Sequence, residues 1–180
     1  MTMTHKKHRR LGSATLEMTL VGIPLLFVLI SIIEVSRGMW IYHTLSYAVR
    51  EGTRYTIVHG ANCKATPNNC PVTVGQIATV IQNAAVGLFD SNNFMVEMKS
   101  SSDTYGTLDG NGIPTMTLAS ALSNTNQFPS APGDSIGQPI TFTVTYPFQS
   151  AIAMFWPGAG SGLNFATVTF PASSQELVQF

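Results

Sequence analysis

Few side chains in this 180-residue sequence are of a type and spacing that do chemistry. The histidines, His5, His8, His43 and His59, are scattered, and His5 and His8 fall in a short basic N-terminal stretch. No His-Glu-x-x-His, Gly-x-Ser-x-Gly or phosphate-binding loop occurs. The acids are sparse and dispersed. The reading is a protein that is not an enzyme, with no catalytic residue, no cofactor, no metal site and no small-molecule substrate.

Two smaller clusters carry some chemical promise. Cys63 and Cys70 stand in "CKATPNNC", a Pro/Asn-rich stretch. That spacing closes a small disulfide loop in an oxidising compartment, or leaves two free thiols in a reducing one. A zinc site normally takes four ligands, and His59 supplies only a third. "SDTYGTLDGNG" carries Asp103, Asp109 and Asn111, but it lacks the spacing and terminal Glu of a calcium loop and reads as a polar turn.

The strongest anomaly is Glu17, an acid near the start of the apolar run "SATLEMTLVGIPLLFVLISII". Ser13 to Ile33 is 21 residues, about 31 Å as a helix, which just spans a hydrocarbon core of ~30 Å. Lys6, Lys7, Arg9 and Arg10 precede it, so the positive-inside rule keeps residues 1–12 cytoplasmic and sends the rest outward. A cleaved secretory signal needs small residues after its apolar core, and "EVSRGMWIYHT" follows instead. A plain signal anchor explains the length and the basic flank. Glu17 then lies near the helix start, favoured by the macrodipole, or at headgroup depth.

The same stretch resembles a type IV prepilin leader: basic residues, Gly12, then "SATLE" and an apolar helix. The resemblance implies cleavage after Gly12, which leaves Ser13 as the new N-terminus and Glu17 as the fifth mature residue. A Ser13 amine and a Glu17 carboxylate attract strongly in low dielectric, whereas either charge alone is penalised there. Such a pair would set the register of an incoming subunit.

The residues after the run carry a closer resemblance. Glu34, Arg37, Trp40 and Tyr42, then "AVREGTRY" over 48–55, are similar to the pattern of TadE-like proteins. The C-terminal "PGDSIGQPITFTVTYPF" also looks like that family's strand ending in Tyr-Pro-Phe. The good matches cover roughly 9–60 and 132–148. TadE-like proteins are minor, pilin-like components of the bacterial tight-adherence (Flp, type IVb) pilus machinery. Membership implies a single-pass inner-membrane protein with a periplasmic C-terminal part. It also implies partners: membrane lipid, a prepilin peptidase, other pilin-like subunits and assembly proteins. Met18 stands where major pilins carry an aromatic residue, and the chain is much longer than theirs, so the resemblance favours a minor pseudopilin over the main filament subunit. A permanently signal-anchored periplasmic binding protein is the alternative.

Composition agrees with an envelope protein. Charged residues make up 10% of the chain, against ~25% in typical soluble domains. Beyond residue 12, five basic residues face nine acids. That mildly acidic remainder excludes the clustered Lys and Arg that nucleic acid binding requires.

The elements that must position these residues read as follows. The predicted organisation is a leader (1–12), a transmembrane helix (13–34), an amphipathic extension (35–59) and an extracytoplasmic α+β domain (60–180). Ile41, Leu45, Ala48, Val49 and Gly52 make one helical face. Glu34 with Arg37, and Glu51 with Arg54, stand at i,i+3, and Gly60 reads as the helix stop. Thr73 and Gln76 predict a capping box opening a second helix over 74–87, with Val74, Ile77, Ile81, Ala84 and Leu88 as its core stripe. "NFMVEMK" alternates as a strand through Phe94, Val96 and Met98. Residues 100–135 read as a long loop with a short strand or helical turn near 114–122. "PITFTVTYPF" is the clearest strand, ended by Pro147. "LNFATVTFP" is another, before a free tail. Phe155 and Trp156 between them cap the core or form an exposed apolar patch. The fold class is α+β: a long N-terminal transmembrane helix continuing into a pilin-like domain with a second helix and a small antiparallel sheet of three or four strands.

Overall fold

The computed structural model of the chain describes residues 11–59, 72–88, 90–150 and 167–179. The architecture is α+β, with one long helix, two shorter helices and one antiparallel sheet among the described residues. Helix α1 runs Leu11–Ile57. The chain divides into two compact units between Arg37 and Gly38.

The first unit holds the N-terminal part of α1. Its apolar side chains point outward: Leu16 is 67% exposed, Val21 67% and Ile33 64%. Apolar residues occur all round this part of the helix, so no stripe singles out a buried side. Pro24 lies inside the helix and has no N–H to give the carbonyl of Leu20.

The second unit is built on the rest of α1. Ile41, Leu45, Ala48 and Val49 are buried as their spacing requires, and Gly52 joins them. A Cβ on Gly52 would stand 2.6 Å from Ile81 Cγ1, so this glycine lets the second helix pack close. That helix, α2, runs Val74–Ala84. All four of its leading N–H groups, which helices leave without intrahelical partners, find acceptors. Val74 and Gly75 donate to the carbonyls of Asn126 and Asn124. Gln76 N–H donates to Thr73 Oγ1, while the Gln76 amide oxygen accepts from the Thr73 N–H, which closes the expected capping box.

Helix α2 stops three residues before the expected end. Ala85 leaves helical geometry and Gly87 takes a positive φ of 85°. A Cβ on Gly87 would collide with the Trp40 ring, which covers the turn. A tertiary contact, absent from local sequence, fixes this boundary.

The sheet has the order β2-β1-β4-β5, with β3 on the same edge of β1 as β2. Strand β1 is Met95–Lys99; β2, Thr104–Tyr105; β3, Met116–Thr117; β4, Pro139–Gln149; and β5, Thr167–Leu177. Between β3 and β4 lies the short helix α3, Leu118–Leu122. The inner face carries Val96, Met98, Ile140, Phe142, Val144 and Phe148, all buried, with threonines alternating on the outer face of β4. Phe94, just before β1, is fully buried with them. Phe128 sits against Phe142 and Tyr105, with ring centroids 5.7 and 5.9 Å apart.

Three expectations require correction. Pro147 does not end β4, because the strand runs on to Gln149 with Pro147 opposite Thr169. The β1 ladder stops at Thr145, so Pro147 lies where β4 has one described neighbour, and a missing N–H costs little there. The residues after Pro171 are not a free tail. They pair with β4 through Pro139↔Leu177, and Gln179 N–H donates to the Ile57 carbonyl. The 100–135 segment has β3 and α3 where a short strand or helical turn near 114–122 was expected, and the strand β2 in addition.

Candidate membrane-anchoring and assembly segment

Helix geometry arranges the N-terminal candidates. Gly12 and Ser13 fall in the first turn of α1, and Glu17 is exposed one turn further on. Four residues along a helix return to the same face, about 6 Å higher. Ser13 precedes Glu17 by this one turn of helix.

The following residues suit a bilayer. Hydroxyls in hydrocarbon need partners, and here they bond back onto their own helix. Thr19 Oγ1 donates toward the Thr15 and Leu16 carbonyls at 3.1 and 3.0 Å. Ser31 Oγ donates to Phe27 at 2.8 Å and Ser36 Oγ to Ile32 at 2.8 Å. The helix is long and apolar enough to cross a membrane, and it fits a single-pass anchor. At the end of this unit Arg37 pairs with Glu34 at 3.4 Å. The expected Glu51–Arg54 pair does not form among the described residues.

Elsewhere the candidates have structural roles. Asp109 Oδ1 accepts from the backbone N–H groups of Asn111 and Ile113, so it closes a turn. Asp103 ties the β1–β2 turn to the segment before β4: its Oδ2 accepts from Ser130 N–H at 2.8 Å and from Ser102 Oγ at 3.1 Å. The Ser130 side chain, with help from these bonds and against partial burial, holds the Asp103 carboxyl below its ordinary value. His59 Nδ1 bonds to the Tyr55 carbonyl, and its ring lies against the Tyr55 ring. Cys63, Cys70, Phe155 and Trp156 lie outside the described residues.

Sequence reasoning underweighted one group, the aromatic residues just after the first unit. Tyr42 meets Phe170 of β5, with centroids 6.5 Å apart, and Phe170 meets Phe148 of β4 at 5.6 Å. The available signal was the Trp40/Tyr42 spacing immediately beyond an apolar run.

The TadE-like protein family model matches residues 12–54. The match starts at Gly12 and stops three residues before α1 ends, so it covers this helix and none of the sheet. No curated protein and no solved structure matches the chain. The resemblance first read from Glu34, Arg37 and the 48–55 run is thus met by an independent family description over the same helix. Residues 12–54 of this chain are similar to the TadE-like protein family.

Proposed function

We propose that this chain is a minor pilin-like subunit, a pseudopilin, of a tight-adherence (type IVb) pilus assembly. Residues 1–12 are its cytoplasmic leader, 13–34 its inner-membrane span, 35–59 the helical extension, and 60–180 its periplasmic domain. A prepilin peptidase cuts after Gly12, and Glu17 then guides the mature helix into register with other pilin-like subunits. The observation that carries this reading is the TadE-like match beginning at Gly12, on a helix whose apolar side chains stay exposed through the first unit. An exposed apolar helix of this length requires lipid or other apolar helices as its surroundings. The role is structural, in keeping with a family that is not enzymatic. Cys63 and Cys70 form a disulfide in the oxidising periplasm.

The test is genetic. Deleting the gene, or replacing Glu17 by Ala on the chromosome, is expected to reduce surface pili and adherence while the Glu17→Ala protein still reaches the membrane at wild-type level. Normal piliation in the deletion strain would overturn the reading and leave a signal-anchored periplasmic binding protein.

A further inference from the structure

The second unit is chemically polarised along the direction of its strands. Phe170 touches Gly38, with ring atoms 3.5 and 3.7 Å from where a Gly38 Cβ would stand, and it also meets Tyr42. At the other end Gln179 bonds to Ile57. Strand β5 therefore runs parallel to this part of α1, with its first residues beside Gly38 and Tyr42 and its last beside Ile57.

The end beside Gly38 and Tyr42 is largely apolar, with Arg37 just before it in sequence and Asp90 just after the turn that Trp40 covers. No Asp, Glu, Lys or Arg occurs in 38–49, 84–88 or 167–175. Trp40 is 49% exposed and Tyr42 46%; Val86, beside the Gly87 turn that Trp40 covers, is 69% exposed, and Val168 49%. The ring of His43, in the same turn, meets that of Tyr42. Charges gather at the opposite end of the sheet: Lys99 pairs across from Thr141, Glu176 from Ile140, and Asp103 follows β1.

We propose that this anchor-proximal end of the second unit, Trp40, Tyr42 and Phe170 with Val86 and Val168, is a lipid-contact surface seated at the headgroup level of the bilayer. The inference rests on the reading of 13–34 as a membrane span, and not on leader cleavage. Continuity with the span selects lipid as the occupant. Seven residues of helix separate Trp40 from Ile33, about 10 Å of rise. The headgroup zone adds roughly 5–8 Å to each side of the core. Helical side chains tilt toward the N-terminus, which brings the Trp40 and Tyr42 rings back toward that zone. Trp and Tyr are the residues that favour it, because each joins an apolar ring to one polar group.

The experiment uses the full chain in phosphatidylethanolamine/phosphatidylglycerol vesicles with Trp156→Phe, which leaves Trp40 as the tryptophan reporter. Lipids brominated near the top of the acyl chain should quench Trp40 emission at least twofold more than lipids brominated deep in the chain. Aqueous iodide should quench it weakly. Val28→Trp, in a Trp40→Phe/Trp156→Phe background, reports the span itself and should respond most to the deep bromines. Deep quenching at residue 28 with water-like, bromine-insensitive Trp40 emission would overturn the lipid surface while leaving the span, and would assign that face to a protein partner. No lipid quenching at either position would overturn the span reading and the surface with it. Should Trp156→Phe disturb folding, Val86→Trp in a Trp40→Tyr background tests the same face by the change in shallow quenching upon its addition, with no change contradicting the proposal.

Discussion

The two parts of α1 obey opposite burial rules. Up to Arg37 the helix shows its apolar side chains on all sides, with Leu20 72% exposed. From Gly38 on it shows one apolar stripe, and Leu45 and Ala48 are completely buried. The same secondary structure thus serves two solvents. The first part has the pattern of a segment surrounded by apolar medium, and the second that of a helix covering a sheet. Glycine shows the contrast at single-residue scale. Gly22 has open space where a Cβ would be, whereas Gly52 has Ile81 against it.

The largest effect that tests this contrast comes from emptying the core. Phe142 is fully buried against Phe128 and close to Gly52. Phe142→Ala should destabilise the second unit by about 3–5 kcal/mol, read from chemical unfolding of the full chain in micelles by near-UV circular dichroism. Leu26→Ala, at a side chain 58% exposed, should move the same transition by less than about 0.5 kcal/mol. Equal effects would erase the distinction.

Overpacking sharpens it at the next scale. Gly52→Val must push Ile81 aside and should cost about 1–3 kcal/mol. Gly22→Val gains helix propensity in open space and should be neutral or favourable by a few tenths of a kcal/mol. The same unfolding midpoints decide it.

The smallest expected effect is electrostatic and confined to the second unit. Asp103 has a folded pKa below its ordinary value of 3.8, chiefly through Ser130. Its stabilisation is complete above the unfolded value and disappears as pH falls through the folded one. Wild type should therefore exceed Asp103→Asn in stability at pH 6, and the difference should shrink toward pH 3. A difference that stayed constant or grew on acidification would contradict the assigned hydrogen bonds.

Much of this fold was legible because the deciding forces are local. The Ile41–Leu45–Ala48–Val49 spacing, the Thr73/Gln76 box and the alternation through Phe94, Val96 and Met98 each state their structure within a few residues. The misreadings share a different cause. The residues of β5 after Pro171 read "ASSQEL", with four polar side chains in a row, and hydrophobic alternation cannot reveal a strand whose order comes from pairing with β4. Pro147 is a reasonable strand end until the neighbouring ladder is known to stop at Thr145. The end of α2 depends on Trp40, far away in sequence. Of the candidate site, the position of Glu17 one turn into a long apolar helix was readable from spacing. The aromatic contacts of Tyr42 with Phe170 were not, since nothing local links residues so distant in the chain.

The central claim is that the apolar helix is a prepilin-type segment, and the N-terminus of the mature protein tests it most directly. Protein purified from membranes of its host should have the intact mass of residues 13–180 and begin at Ser13, and a Gly12→Ala variant should keep the leader. A wild-type protein that retains residues 1–12 in a host with an active prepilin peptidase would contradict the account.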